Sequence, residues 1–372
     1  VNFDFSEDQK YLGEQARKFL ADKCPPSEVR KVLDDAGTSH QAGLWRGIVE
    51  MGWLGTAIPE ECGGLGLGML ELCVIAEELG RALAPVPFAS TAYFFTEAVK
   101  LAGSQAQKSE LLAKVAAGEL IGCFAMSEGP GMPTPETIRA RVDDGKLSGR
   151  KIPVTDGDIA SHAVVVAHDG DAGLSLFIVD LSQPWVERKT VETLDPTRSH
   201  AEISFDGAEA ERLGPAGEGA QLAERILERA AVLIAFEQIG GGDRAVEMGT
   251  AYAKERTAFG RQIGSYQAIK HKLADAWIKG QVARSNAYYG AWALNEDAPE
   301  LPEAAAAARI AASDFFWFAS KENIQTHGGM GFTWEVDCHL FYRRAQLLGV
   351  QAGAPKLWKE KLVRAIEKKN AA

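Results

Sequence analysis

The sequence predicts an α+β multidomain protein with a helical N-terminal part, a β-rich middle and a helical C-terminal bundle. Three observations predict it. Apolar residues recur near helical spacing up to about residue 118, with expected boundaries 1–118. Short β-rich runs separated by Asp-Gly-type turns fill 119–212. Long stretches rich in Ala, Leu, Glu, Lys and Arg occupy 218–372. A chain of 372 residues can bury a large core over two or three domains.

In the first part, Ser6 and Gln9 have capping-box spacing, and Tyr11, Leu12, Phe19 and Leu20 follow at helical intervals. Residues 40–51 and 69–84 read the same way, the second stopped by Pro85 and Pro87. Gly63–Gly68 reads as a turn leading into the helix from Met69. Its spacing is not GxGxxG and no β-run precedes it, so a dinucleotide fingerprint fails on context.

The middle carries β-runs at 120–126, 136–142, 146–152, 162–168, 174–179, 186–191 and 201–205. With no helix-length pattern between them, an antiparallel sandwich or barrel is expected rather than a parallel βαβ sheet. Beyond residue 218, helices are expected over 220–256, 264–296, 303–326 and 353–368. Short turns between them imply an antiparallel bundle.

Composition excludes several classes of function. A formal net charge of −11 argues against broad binding to nucleic acid or anionic membrane. No run of 18 apolar residues appears, and the start VNFDFSEDQ lacks the regions of a signal peptide. The five cysteines are odd in number and without CxxC spacing, which fits a reduced cytoplasmic protein with no zinc site. Ser127 and Ser199 lack a nucleophile elbow, and His327, alone in a turn, reads as structural.

What remains is a site of arginines, glutamines and backbone amides, which suits a cofactor that carries the chemistry. The segment Lys254–Ala276 places Arg256, Phe259, Gly260 and Arg261 between two helical runs, with Gln267 opening the second. Arginine brings charge and a forked donor set, and glycine lets backbone approach a diphosphate. The second element is Gln325-Thr-His-Gly-Gly-Met-Gly-Phe332, whose glutamine and amides could hold a ring or a phosphate.

These two elements, with Ile58–Gly68 (IPEECGGLGLG) and Phe124-Ala-Met-Ser-Glu128, occur in the order found in the acyl-CoA dehydrogenases. The resemblance covers nearly the whole chain. It implies a helical domain, a β-barrel-like middle and a four-helix bundle. It also implies FAD-dependent α,β-dehydrogenation of an acyl-CoA thioester in a homo- or hetero-tetramer, with an electron-transferring flavoprotein as electron acceptor. By the same resemblance Arg256, Phe259, Gln267, Gln325 and Gly329 match FAD contacts made across a subunit interface. Phe124, Met126 and Ser127 match the strand beside the isoalloxazine, and Thr155 matches the threonine of the W-I-T-N-G run.

The chain departs from the family at four places. Pro153 stands where that run has tryptophan, and Gly-Pro-Gly-Met-Pro-Thr-Pro follows Glu128 where P-G-x-G-S-D is expected. The two usual seats of the catalytic carboxylate fall on Ala230 and Ala352. Glu237 and Glu228, on the helix of Ala230, are the substitute candidates, with Glu228-Arg229 as a shifted E-R pair. Two alternatives stay open: a catalytically incomplete partner subunit of a heteromer, and oxidase or monooxygenase chemistry on the same scaffold.

Overall fold

The capping box forms as read: Ser6 Oγ accepts from the Gln9 amide at 3.2 Å while Gln9 Oε1 accepts from the Ser6 amide at 2.8 Å. In the computed structural model, which describes residues 5–371 other than Ala36, this box opens α1 (Glu7–Lys23). Residues 1–4, the beginning of the segment read for a signal peptide, lie outside the described residues. Then come α2 (Pro26–Asp34), α3 (Ala42–Glu50), α4 (Met69–Arg81), α5 (Thr96–Ala102), α6 (Gln105–Gln107) and α7 (Ala113–Ala116). Helix α4 ends ahead of its prolines because the chain turns at Leu83, whose φ is 53°.

Eight strands follow: β1 (Gly122–Ala125), β2 (Arg141–Asp143), β3 (Lys146–Thr155), β4 (His162–Asp169), β5 (Leu174–Asp180), β6 (Val186–Thr190), β7 (His200–Glu209) and β8 (Glu211–Leu213). The rest is α8 (Gly219–Glu255), a hairpin of β9 (Thr257–Ala258) and β10 (Arg261–Gln262), α9 (Gln267–Asn295), α10 (Leu301–His327), α11 (Cys338–Val350) and α12 (Pro355–Ala371). Helices α2, α5 to α7 and α11 and strands β8 to β10 are additions to the elements named from the sequence. Only the last residues of the run 136–142 become strand.

Contacts gather the chain into two compact units, each discontinuous in sequence. The sheet unit comprises residues 29–68 and 85–230. Its strands pair in the order β6-β7-β3-β2-β4-β5-β8, with β1 on β4. Pairing is antiparallel except that β1 and β2 both run parallel to β4. This corrects the purely antiparallel expectation, and among the described residues no pairing joins β6 to β8 to close a barrel. β1 and β2 lie in tandem along one edge of β4, against its first and last residues respectively. Inward residues such as Val142, Leu147, Val154, Val165 and Phe177 form the core.

The bundle unit comprises residues up to 28, 69–84 and 231–372. In it, α4 crosses α8 at glycines. A Cβ on Gly80 would lie 2.0 Å from the Glu237 carbonyl oxygen, and one on Gly240 would lie 1.8 Å from that of Glu77. Arg284 of α9 locks the crossing, donating to Glu77 at 2.9 and 3.0 Å and to Asp243 at 2.5 Å. Among the described residues no helix is long and apolar enough to cross a membrane.

Candidate functional site

In the sheet unit the segment expected to lie beside a flavin is β1 with its continuation Met126-Ser127-Glu128. Phe124 stacks on Phe94 with ring centroids 6.1 Å apart. The continuation is fastened by Lys151, which is fully buried and donates to the Met126 carbonyl at 3.2 Å and to Glu128 at 2.7 Å. Glu128 also accepts from the amides of Arg139 at 2.7 Å and Ala140 at 3.0 Å, and the Ile152 amide donates to the Ser127 carbonyl at 2.8 Å. These donors hold the Glu128 carboxyl below its usual range against the opposing effect of burial. Segment 126–128 is thus fixed by charge-assisted bonds, leaving Met126 and Ser127 half-buried at the surface of the unit.

Thr155 ends β3 beside its register partner His200, the first residue of β7, with Thr155 Oγ 3.1 Å from His200 Nε2. His200 Nδ1 is 3.0 Å from the Arg198 carbonyl. Next to Thr155, Asp156 is buried among Ser90 Oγ at 2.6 Å and Ser199 Oγ at 3.4 Å. Burial pushes its carboxyl up to about 6, with Arg198 pulling the other way.

In the bundle unit the arginine segment is a β-hairpin, not an irregular loop. Ala258 pairs with Arg261 and Thr257 with Gln262, so Phe259 and Gly260 form the two-residue tip, with φ of 51° and 78°. Positive φ at both tip positions is the requirement of a type I′ turn. Phe259 is 96% exposed. Arg261 lies 4.0 Å over the Tyr266 ring, and Tyr266 donates to the Ala258 carbonyl at 2.9 Å. Arg256, one residue before β9, is exposed, as is Gln267 at the start of α9.

The Gln325–Phe332 element lies beside this hairpin's root. His327 stacks on Tyr252 with centroids 4.1 Å apart, and Tyr252 Oη meets Met330 Sδ at 3.6 Å. His327 Nδ1–H donates to the Asn323 carbonyl at 2.8 Å, so the histidine packs the turn as read. Gly331 is required by close approach: a Cβ there would fall 2.4 Å from the Ile324 carbonyl oxygen. Gln325, Gly328 and Gly329 are exposed. Arg256, Phe259, Gln325 and Gly329 are all exposed on the bundle unit, in two segments linked through the Tyr252–His327 stack. The Arg256 guanidinium and the Gln325 side-chain amide are donors of the kind that fit a dinucleotide diphosphate, while the Gly328 amide is spent on the Gln325 carbonyl.

Ala230 and Ala352, the positions expected to seat a base, lie in α8 and in the turn after α11. Ala230 is fully buried, and Ala352 has a φ of 58°. That turn is held by Arg309, which donates to the carbonyls of Leu348 and Gln351, the latter at 2.7 Å, and to Gln238 and Ser313. Glu237 is fully buried at the α4–α8 crossing, and Glu228 is also buried. Arg229 pairs with buried Glu97 at 2.6 Å.

Sequence reasoning missed Lys151 and His200. Lys151 carried a signal, since it shares the inward parity of Leu147 in β3, where a lysine must find a partner. His200 carried none, because its partner is set by a register that bulges between Lys151 and Val154.

Residues 6–119 match the family model for the acyl-CoA dehydrogenase N-terminal domain, and residues 217–366 the model for its C-terminal domain. The chain belongs to the acyl-CoA dehydrogenase family, oxidoreductases acting on CH–CH bonds. Among curated relatives it is similar to acyl-CoA dehydrogenase IpdE2 of Mycobacterium tuberculosis, 34% identical over 343 residues and covering 91% of each chain. Among solved structures it is similar to a Tcur3481–Tcur3483 steroid ACAD variant, with 29% identity, TM-score 0.88, and coverage of 98% of this chain and 99% of that one. It also matches the ChsE4–ChsE5 complex of Mycobacterium tuberculosis, with 25% identity, TM-score 0.89, and coverage of 99% of both.

Proposed function

We propose that this protein is an FAD-dependent acyl-CoA dehydrogenase that introduces an α,β double bond into an acyl-CoA thioester and works in an assembly of several chains. The observation that carries this reading is the exposed donor set at Arg256, Gln325 and Gly329 beside Phe259. A phenylalanine 96% exposed at a left-handed turn tip gains nothing from its own chain. Contact with a partner's bound cofactor supplies the missing burial, which supports a tetramer with the hairpin reaching across an interface. Trp277, Ile278, Val282 and Trp317, exposed on α9 and α10, add apolar surface suited to such an interface.

When bound, FAD supplies the two-electron acceptor for the substrate's β-hydride, and an electron-transferring flavoprotein then takes the electrons. The chain's own residues bind and orient. Arg256 would neutralise diphosphate charge, Gln325, Gln267 and Gly329 would donate to polar edges, and Phe259 would cover apolar surface of the cofactor. Phe124, Met126, Ser127 and Thr155 would line its ring, with Lys151 keeping the Met126–Glu128 segment in place. Removal of the α-proton needs a desolvated carboxylate. Glu228 and Glu237 are the candidates in this chain, because alanines fill the two usual seats. We assign the substrate to bulky, steroid-type acyl thioesters, on the strength of similarity to a steroid enzyme.

The test is anaerobic titration of the purified chain with a panel of acyl-CoA thioesters. Bleaching of a bound flavin by bulky members supports the reading. Colourless protein that acquires flavin only beside a second, different chain would make it the incomplete half of a heteromer. Turnover with oxygen and no other acceptor would make it an oxidase. If Glu237→Gln and Glu228→Gln both leave bleaching unchanged, neither carboxylate is the base.

A further inference from the structure

We propose that His200 fixes the polarity of the Thr155 hydroxyl, making Thr155 a hydrogen-bond acceptor, and only an acceptor, toward the group bound on its open side. The argument rests on two distances and on what each atom can do. The Arg198 carbonyl, 3.0 Å from His200 Nδ1, can only accept, so Nδ1 carries the ring proton. In a neutral imidazole Nε2 is then a bare lone pair, and it lies 3.1 Å from Thr155 Oγ. The hydroxyl has one proton and must spend it on Nε2. Its remaining lone pairs are left to accept, and the threonine is half-buried rather than enclosed.

The neutral state has a structural cause. His200 is buried at the start of β7, and burial pushes its pKa down. The Arg198 carbonyl and the carboxylates of Asp195 and Asp158 work against that effect, while the Arg198 guanidinium adds to it. A protonated ring would reverse the arrangement. Nε2–H would donate to Thr155 Oγ, and the hydroxyl proton would be free to point outward.

This inference rests on the proposed reading that a flavin lies against Thr155. Oxidised isoalloxazine presents N5 as an acceptor, and two-electron reduction converts that atom to an N–H donor. With N5 of a bound flavin against it, an acceptor-only hydroxyl would be matched by the reduced ring and mismatched by the oxidised one. His200, buried and acting through Thr155, would be a positioning residue that biases the site toward reduced flavin.

Two measurements test it on the full chain. The first is the imidazole 15N pattern of His200 in histidine-labelled protein, with and without flavin. The expected result is the neutral Nδ1–H form near neutral pH, and a protonated Nε2 overturns the proposal. The second is the flavin midpoint potential of the native chain and of His200→Leu. Freeing the Thr155 proton to donate to oxidised N5 should shift the reduced-to-oxidised ratio about tenfold toward oxidised, ~30 mV for a two-electron couple. Thr155→Val should lower the potential on its own and abolish any further effect of His200→Leu. An unchanged potential in His200→Leu with flavin bound overturns the proposal. Should His200→Leu fail to fold, the native tautomer and Thr155→Val still decide the matter. If the native chain binds no flavin, the functional reading fails instead, and the tautomer is still measured in the flavin-free protein.

Discussion

The guanidinium of Arg309 donates to the Gln351 carbonyl at 2.7 Å, so the turn that carries Ala352 is held by a buried cation. Burial alone pushes the Arg309 pKa down, with no carboxylate among the described residues opposing it. Its compensation is two backbone carbonyls at the end of α11 together with Gln238 and Ser313. Arg309→Met removes the cation and strands those buried acceptors. We expect a loss of about 2–4 kcal/mol in urea unfolding. A change below about 0.5 kcal/mol would show that the clamp contributes nothing to stability.

The α4–α8 crossing admits no side chain at Gly240, where a Cβ would sit 1.8 Å from the Glu77 carbonyl oxygen. Gly240→Ala, despite alanine's better helix propensity, should cost about 2 kcal/mol or more because backbone must move. Because Gly80 meets the Glu237 carbonyl at the same crossing, Gly80→Ala should cost a similar amount. Their double variant should be less than additive if one helix displacement relieves both clashes. Chemical denaturation of the three variants measures this.

Asp156 links stability to pH. Its carboxyl titrates near 6 when folded, against an ordinary value of 3.8. Between those values the folded state holds a proton that the unfolded chain has released, so this group's contribution falls as pH rises from about 4 to about 6 and is constant above. Asp156→Asn removes that slope. Relative to Asp156→Asn, the native chain should lose on the order of 2–3 kcal/mol between about pH 4 and about pH 7. Unfolding free energies of both proteins across this range give the answer, and parallel curves would contradict it.

The fold was legible where period and capping chemistry were local. Ser6 and Gln9 announced α1, the long Ala- and Leu-rich runs announced α8 to α10, and β-runs with Asp-Gly turns announced β3 to β7. Tertiary features were not. The parallel placement of β1 and β2 on β4 depends on which edge of β4 is open, and no residue pattern records that. The hairpin at Phe259 escaped because a two-residue Phe-Gly tip lacks the Asn-Gly or Asp-Gly signal, and its strands have only two residues each. Helix α11 was hidden by Arg343-Arg344, of which Arg344 is buried and donates to the Leu83 carbonyl at 3.3 Å. The candidate flavin residues came from motif resemblance; of them Arg256, Phe259, Gln267, Gln325 and Gly329 are exposed, while Phe124, Met126, Ser127 and Thr155 are half-buried. The alanines at 230 and 352 were legible as departures, but the Arg309 clamp beside one of them needed three-dimensional contacts.

FAD binding by the native chain and by the Arg256→Leu/Gln325→Leu double variant tests the central claim most directly, read from flavin absorbance after dialysis and from titration with free FAD. The native chain should retain FAD, and the double variant, folded by circular dichroism, should bind it at least about 100-fold more weakly, since charge-assisted bonds to the diphosphate are among the strong ones. Full flavin retention by the double variant would contradict the account.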